Sequence, residues 1–209
     1  MTDWQIEQSP IAYDRAVAVM EEKAAAIRQR GENGLVWLLE HPALYTAGTS
    51  ALPTDLLGDP PFPVHQTGRG GQYTYHGPGQ RIAYVMLDLH KRDTDLRKYI
   101  YDLEDWIITA LKTFDVHGKR SDGRVGVWVD DAAGGSPKKI SAIGVRVRKW
   151  VTYHGVSINR DPDLSHYRGI VPCGIRAAGV TSLKELGVTV SQADLDAALR
   201  AAWTRVFEA

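Results

Sequence analysis

Two apolar runs stand close together in the second half of the chain. Residues 140–147 and 151–158 each have the length and the β-branched content of a strand. Only Arg148-Lys149-Trp150 separates them, and because so short a link joins antiparallel neighbours, we predict a β-hairpin. Strand candidates and helical patterns do not alternate regularly along the chain, as they would in repeated strand–helix–strand units. The sequence therefore predicts an α/β protein with a mixed α+β sheet.

Hydrophobic periodicity predicts the other elements. Apolar residues at helical spacing indicate one helix from a Ser9-Pro10 start to Gly31, a second over residues 96–111 and a third that begins at Ser191. Shorter apolar runs indicate strands, and a stretch with several prolines and little periodicity indicates a loop. The strands are residues 35–39, 82–89 and 125–129, and the loop spans residues 48–68.

Length and composition narrow the class of protein. The chain has 209 residues, 44% hydrophobic and 24% charged, so residues 1–209 are predicted to form a single domain with a substantial core. Lys+Arg and Asp+Glu both number 25, and a nucleic-acid-binding protein usually carries a basic excess. The N-terminus has no basic region before an apolar run, and no apolar stretch approaches about 18 residues. We therefore expect a cytoplasmic protein with no secretory signal and no membrane span.

The only cysteine, Cys173, follows Pro172 and precedes Gly174. Proline fixes its own backbone, and glycine permits a tight turn or the close approach of a ligand. A thiol held at such a turn can act as a nucleophile, although a free cysteine more often packs as a small buried hydrophobe. The local sequence leaves both interpretations open.

A glycine-rich segment precedes the predicted strand at residues 82–89. Its sequence is Arg69-Gly70-Gly71-Gln72-Tyr73-Thr74-Tyr75-His76-Gly77-Pro78-Gly79-Gln80. It lacks the Gly-Lys-Ser/Thr ending of a P-loop and does not continue into a dinucleotide-binding pattern. It can be a ligand-binding loop or an ordinary turn, and loops of this kind often carry function.

Two lysines, Lys138 and Lys139, stand at the start of the predicted hairpin. A lysine there is usually a solvated strand end, but an ammonium beside a thiol would favour the reactive thiolate. His76 or His154 could instead act as the general base of a Cys–His pair. The histidines show no His-Glu-x-x-His or close paired spacing, so no metal site is predicted.

These segments together are more specific than any one of them. In order along the chain they are Glu40-His41-Pro42, Tyr45-Thr46-Ala47-Gly48, the glycine-rich segment, Lys139-Ile140-Ser141-Ala142-Ile143-Gly144-Val145-Arg146, His154-Gly155-Val156-Ser157-Ile158-Asn159 and Pro172-Cys173-Gly174-Ile175. This order closely resembles the lipoyl (octanoyl) transferase family. The resemblance implies a fold related to lipoate ligases and to the catalytic domain of biotin protein ligases. It also implies transfer of octanoyl from acyl carrier protein to a lysine of a lipoyl domain, the start of protein lipoylation.

The resemblance also implies roles for individual residues. Cys173 is the implied nucleophile, which becomes an octanoyl thioester, and Lys139 is the implied residue that lowers the pKa of its thiol. Lys138 is the weaker candidate because neighbouring residues of a strand point to opposite faces. The implied substrate-binding residues are Arg69, Gly70, Gly71, Gln72, Tyr73, Thr74, Tyr75, His76, Ala142, Ile143, Gly144, Gly155, Val156 and Ser157.

The implied reaction needs no cofactor and no metal, because the acyl group arrives already activated as a thioester on the phosphopantetheine of acyl carrier protein. The implied partners are acyl carrier protein and the lipoyl domains of 2-oxoacid dehydrogenase complexes and of the glycine cleavage H protein. Neither a nucleic acid nor a membrane is among them.

Other functions use the same residue types. A related enzyme could move octanoyl between lipoyl domains, and a lipoate ligase would use ATP and would not need Cys173. A non-catalytic module could bind an acyl group or a carrier with Cys173 merely packed. A Cys–His thioesterase would release free octanoate into water.

Overall fold

The computed structural model describes residues 1–171 and 179–208. Three α-helices lie within this part of the chain: α1 Tyr13–Arg30, α2 Leu96–Lys112 and α3 Gln192–Phe207. The strands are β1 Thr2–Ile6, β2 Gly34–Leu39, β3 Leu44–Ala47, β4 Val64–Gln66, β5 Tyr73–His76, β6 Gln80–Met86, β7 Lys119–Ser121, β8 Arg124–Val129, β9 Lys138–Arg148 and β10 Val151–Asn159.

The larger sheet has seven strands in the order β1-β2-β6-β10-β9-β8-β7. β1 pairs with β2 in parallel, whereas the neighbours from β2 to β7 are antiparallel. The prediction of an α/β fold with a mixed sheet is confirmed.

The hairpin predicted from the two apolar runs is formed by β9 and β10. Arg148 pairs with Val151, so Lys149 and Trp150 form a two-residue turn. Both turn residues have left-handed backbones, with φ of 53° and 62°. Such a turn matches the twist of the flanking strands and fixes their register. Gly144 therefore faces Gly155, and this pair lies in the wall of the cavity described below.

Helices cover both faces of the larger sheet. Alternate residues of β2 separate the two cores: Val36 and Leu38 pack with α2 and α3, while Trp37 and Leu39 pack with α1. The start of α1 predicted at Ser9-Pro10 is wrong, because the helix begins at Tyr13. The segment before α1 is hydrogen-bonded to the residue that follows β2, because Ile11 N–H donates to the Glu40 carbonyl at 2.9 Å.

A second, three-stranded sheet has the order β4-β3-β5. Sequence periodicity missed these short strands: β4 lies in the segment predicted as a loop, and β5 lies inside the glycine-rich segment. The turn before β5 is bonded to the chain after β3, since Thr49 N–H donates to the Arg69 carbonyl at 2.9 Å and Ser50 N–H to the Gly71 carbonyl at 3.1 Å. The small sheet thus holds the glycine-rich turn in place.

Over residues 1–171 and 179–208, no helix is both long and apolar enough to cross a membrane.

Candidate active site

A cavity of about 320 Å³ lies between the β9–β10 hairpin and the glycine-rich turn. Most of the residues predicted for the site share its wall. These are Arg69, Gly70, Gly71, Gln72, Tyr73, Thr74, His76, Lys139, Ala142, Ile143, Gly144, Gly155, Val156 and Ser157. The structure does not place Tyr75 in this lining. Its ring packs against Tyr45 and Tyr167 in the core of the small sheet, with centroid distances of 5.7 and 5.6 Å.

Glycines at the cavity let β10 lie close to β6 and let the glycine-rich turn lie close to β9. A side chain at Gly155 would collide with the Ala83 carbonyl of the neighbouring strand β6. A Cβ at Gly144 would lie 3.1 Å from Arg69 Cδ and 3.2 Å from the Gly70 carbonyl oxygen. Gly70 N–H donates to the Val145 carbonyl at 3.0 Å, so the glycine-rich turn rests directly on β9.

Arg69 holds the glycine-rich turn from inside. The side chain is buried, and its Nη2 donates to the Thr46 carbonyl at 2.8 Å, to the Thr46 hydroxyl at 2.6 Å and to the Gln72 carbonyl at 2.8 Å. Its Nη1 donates to the carbonyl of Gly70 at 2.9 Å. These contacts assign Arg69 a structural role in shaping the cavity wall.

A chain of buried hydrogen bonds continues from Thr46. The Thr46 hydroxyl lies 3.3 Å from His76 Nε2, and His76 Nδ1 lies 2.6 Å from Gln80 Oε1. Gln80 Nε2 donates to Asn159 Oδ1 at 2.9 Å, and Asn159 Nδ2 donates to the Thr181 carbonyl at 2.9 Å. Because both ring nitrogens of His76 are engaged, this histidine is unsuited to act as a general base. Burial, followed by the nearby His41, lowers the pKa of His76 to about 3.

Two further buried histidines lie close to the cavity. His41 Nδ1 lies 2.6 Å from the Ile11 carbonyl, so this nitrogen carries the proton and Nε2 accepts from the Tyr84 hydroxyl at 2.7 Å. Tyr84 and His154 line the cavity. Burial lowers the pKa of His41 to about 4, and burial followed by the cations Arg69 and Arg146 does the same for His154. Both rings are therefore uncharged at neutral pH.

The side chain of Lys139 is buried at the cavity wall. Its Nζ donates to the Val125 carbonyl at 3.0 Å and lies 4.7 Å from the centre of the Trp128 ring. Lys138 projects elsewhere, since 40% of its side chain is exposed and its Nζ lies 3.4 Å from Asp131. The two lysines thus have different environments, as alternation along β9 requires.

The sequence analysis missed several lining residues, including Tyr13, Arg124 and Trp128. Trp128 stands opposite Lys139 in the β8–β9 register, beside an irregularity of that register. Arg124 Cζ lies 4.4 Å from the centre of the same indole ring. The pairing of β8 with β9 brings Trp128 to Lys139, and no local sequence motif predicts this contact.

Cys173 and its neighbours Pro172 and Gly174 lie outside the described residues. The chain is anchored on both sides of this segment. Val171 N–H donates to the Asp55 carbonyl at 2.8 Å, and Lys139 N–H donates to the Gly179 carbonyl at 2.9 Å. Among residues 1–171 and 179–208, no group of three or more His, Cys, Asp or Glu side chains is arranged to hold a metal ion.

The fold is one that lipoate protein ligases and biotin protein ligases share. The bipartite lipoate protein ligase of Thermoplasma acidophilum superimposes with a TM-score of 0.75 at 14% identity, covering 100% of this chain and 85% of that one. The biotin protein ligase of Aquifex aeolicus, solved with biotin and ATP, gives a TM-score of 0.55 at 14% identity and covers 99% and 70%. At this identity the likeness concerns the fold.

The chain belongs to the lipoyl protein ligase A/B catalytic domain family, whose model matches residues 12–204. The octanoyltransferase of Paramagnetospirillum magneticum is 59% identical over 207 residues, covering 99% of this chain and 97% of that protein. The octanoyltransferase of Parvibaculum lavamentivorans is 58% identical over 207 residues, covering 98% and 92%. The protein is an acyltransferase, and the resemblance seen in its motifs is confirmed.

Proposed function

We propose that this protein transfers an octanoyl group from the phosphopantetheine thioester of acyl carrier protein to a lysine of a lipoyl domain. A thioester on Cys173 is the intermediate. The observation that carries the proposal is the buried ammonium of Lys139 at the wall of a cavity formed by small and apolar residues and the glycine-rich turn. The octanoyltransferases that match nearly the whole chain support the choice of acyl group.

In the first step the Cys173 thiolate attacks the carbonyl carbon of the incoming thioester. A bond forms between Cys173 Sγ and that carbon, the bond to the pantetheine sulfur breaks, and the departing thiolate takes up a proton. An ammonium about 4 Å from a thiolate contributes up to about 4 kcal/mol of attraction at an effective dielectric near 20, before desolvation is subtracted. Lys139 is proposed to accept the proton of the Cys173 thiol, to lower the pKa of that thiol as an ammonium beside the thiolate, and then to give the proton to the departing pantetheine thiolate.

In the second step the neutral amine of the acceptor lysine attacks the octanoyl thioester. A carbon–nitrogen bond forms, the bond to Cys173 Sγ breaks, and the proton lost by the amine goes to the thiolate. Exchange of one thioester for another keeps the acyl group activated, so the reaction proceeds without ATP and without a bound cofactor.

The cavity wall suits an acyl chain. Ile82, Val125, Ile143 and Val156 supply apolar surface, and each buried methylene contributes about 0.8 kcal/mol to binding. Gly144 and Gly155 add no side chains that would narrow the space. Few polar groups are needed beyond those that hold the thioester carbonyl.

A Cys–His hydrolase is the less favoured function. Both ring nitrogens of His76 are engaged by Thr46 and Gln80. His154 lines the cavity, but a base with a pKa of about 4 accepts a thiol proton poorly. A ligase mechanism predicts a requirement for ATP, whereas the proposed mechanism does not.

Intact-mass measurement after incubation with octanoyl-loaded acyl carrier protein tests the proposal. We expect one octanoyl adduct on the wild-type protein without ATP, its absence on Cys173→Ala, and its loss on addition of a lipoyl domain that becomes octanoylated. Absence of the adduct on the wild type, or an unchanged adduct on Cys173→Ala, would contradict the mechanism. Rapid release of free octanoate without an acceptor would indicate a hydrolase.

A further inference from the structure

One peptide unit of β8, between Val125 and Gly126, joins two buried charged groups. Its carbonyl accepts a hydrogen bond from Lys139 Nζ at 3.0 Å. Its N–H donates to Glu104 Oε1 at 2.9 Å. The C=O and N–H of a trans peptide point in opposite directions, so the carboxylate and the ammonium lie on opposite sides of one rigid plane.

Glu104 is fixed independently of the cavity. It lies on α2, is 7% exposed, and accepts from Arg120 Nε through Oε2 at 3.1 Å. Arg120 is held in turn by the Tyr101 carbonyl at 3.0 Å and by Asp105 at 2.6 Å. The carboxylate therefore presents Oε1 to β8 from a helix that is packed in the core.

Gly126 makes the orientation of this peptide unit dependent on its surroundings. Its φ is +117°, a conformation open to glycine and strained for other residues. A Cβ at this position would lie 2.6 Å from the Ser141 carbonyl oxygen and 3.5 Å from Lys139 Nζ. Because glycine permits either orientation of the adjoining peptide, the acceptor on Glu104 selects the one that turns the carbonyl toward the ammonium. The opposite orientation would turn an N–H toward Lys139.

We propose that Glu104 is a positioning residue for Lys139, acting through the Val125–Gly126 peptide unit. The carboxylate fixes the N–H, the rigid plane fixes the carbonyl, and the carbonyl fixes the ammonium at the cavity wall. The inference rests on the proposed role of Lys139 beside Cys173. It adds to that role a residue on a helix outside the cavity lining.

Other charged groups near Lys139 remain when Glu104 is changed. Arg69 and Arg124 share the cavity wall, and Arg124 lies against the same Trp128 ring. Both are cations, so they favour a thiolate in every variant. Arg120, the cation paired with Glu104, loses the carboxylate charge in both Glu104→Ala and Glu104→Gln. A difference between these two variants therefore reports on the hydrogen-bond acceptor of Gly126 N–H.

The pH dependence of Cys173 alkylation by iodoacetamide tests the inference. Cys173 is the only cysteine of the chain, and alkylation requires no octanoyl transfer. We expect Lys139→Ala to move the alkylation profile to higher pH. Glu104→Ala should move it in the same direction by about half to one pH unit, a threefold to tenfold loss of thiolate near neutrality. Glu104→Gln, which retains an oxygen acceptor for Gly126, should stay close to the wild type.

Asp105→Ala is the matched control, because Asp105 also binds Arg120 but has no contact with Gly126 in the described structure. We expect it to leave the profile unchanged. If Glu104→Ala does not fold, as a thermal melt would show, the double variant Glu104→Met/Arg120→Met replaces the ion pair of buried Glu104 and partly exposed Arg120 with apolar residues of similar volume. It removes the same acceptor and should give the same shift.

The outcomes separate this inference from the proposed function. A shift in Lys139→Ala with none in the folded Glu104 variants would overturn the inference and leave octanoyl transfer untouched. No shift in Lys139→Ala would overturn the inference by removing its premise, whether or not the wild type forms an octanoyl adduct. An equal shift in Glu104→Gln and Glu104→Ala would also overturn it, since the hydrogen-bond acceptor would then be irrelevant.

Discussion

Lys139 and Val180 form a parallel β-bridge. Lys139 N–H donates to the Gly179 carbonyl at 2.9 Å, and the Lys139 carbonyl accepts from Thr181 N–H at 3.0 Å. The backbone of the candidate lysine is thus bonded to the chain that follows residue 178, while its side chain reaches β8. These backbone bonds do not depend on the nature of the side chain, so Lys139 can be replaced without removing them.

If the proposed mechanism holds, replacement of Lys139 by alanine should lower the rate of acylation by octanoyl carrier protein at pH 7 by about tenfold or more, since in that mechanism Lys139 is the cation beside the Cys173 thiolate. The free energy of unfolding should change by no more than about 2 kcal/mol, because the loss is that of one hydrogen bond and some packing. Intact-mass measurements on samples quenched at successive times give the acylation rate, and denaturant unfolding gives the free energy of unfolding. Lys138→Ala is the control, and a larger defect in that variant would assign the proposed role to Lys138 and not to Lys139.

Replacement of Arg69 by lysine should loosen the glycine-rich turn. A lysine cannot reproduce the planar fork that binds the Thr46 and Gln72 carbonyls together. We expect a loss of about 1–3 kcal/mol in the free energy of unfolding and a larger fall in octanoyl transfer. Arg146→Lys, on the neighbouring strand β9, is the comparison. Equal effects of both substitutions would argue against a particular role for the Arg69 contacts.

Stability should fall in mild acid because His41, His76 and His154 are buried and uncharged, with pKa values of about 4, 3 and 4. Their ordinary value is near 6.5, so below that pH the unfolded chain binds protons that the folded chain does not. Stability is therefore fully present above about pH 6.5 and is lost as the pH falls toward 4. A histidine with a folded pKa near 4 accounts for about 2 kcal/mol at pH 5.

Denaturant unfolding at pH 7.5 and pH 5 measures this dependence. His41→Gln should reduce the difference between the two pH values by about 2 kcal/mol. His90→Asn, at a histidine whose side chain is 60% exposed, is the comparison for a substitution outside the buried set. A wild-type protein equally stable at both pH values would contradict the assignment of neutral buried histidines.

The buried pair of Arg81 and Asp196 should be replaceable only as a unit. Arg81 on β6 binds Asp196 on α3 through two hydrogen bonds of 2.8 Å. Burial raises the pKa of Asp196 in spite of this partner, which indicates a costly desolvation. Asp196→Ala should lose about 3–5 kcal/mol, whereas Arg81→Met/Asp196→Leu should be nearly neutral. Thermal or denaturant unfolding of the two variants distinguishes the cases.

The sequence predicted the long elements well because their apolar patterns are sustained. The β9–β10 hairpin follows from two adjacent runs, and α3 begins after Ser191, whose hydroxyl accepts from the Asp194 amide as an N-cap. The short strands β1, β3, β4, β5 and β7 were not predicted, because a few residues cannot display a period and their pairing depends on distant parts of the chain.

The lining of the cavity was predictable where a local motif marks it. Arg69 and Gly144 could be selected from glycine-rich or small-residue segments, yet the contact between them follows only from the fold. Tyr75 belongs to the same motif as Thr74 and His76, which line the cavity. Because successive side chains of a strand point to opposite faces, the Tyr75 ring instead packs in the core of the small sheet. Glu104 and Trp128 have no local signal at all, since their relation to Lys139 depends on how α2, β8 and β9 pack.

The hydrogen bonds that run from Arg69 through Thr46, His76 and Gln80 to Asn159 have a consequence for redesign. Each of these side chains is a hydrogen-bond partner of the next. Replacing one of them alone would therefore leave a buried polar atom without a hydrogen bond. Any redesign of the cavity should therefore leave this series intact or replace all of its members together with apolar residues. Ile82, Ile143 and Val156 line the cavity with apolar side chains. Changes in the volume of these side chains break no hydrogen bond, so they are the positions at which the cavity can be reshaped.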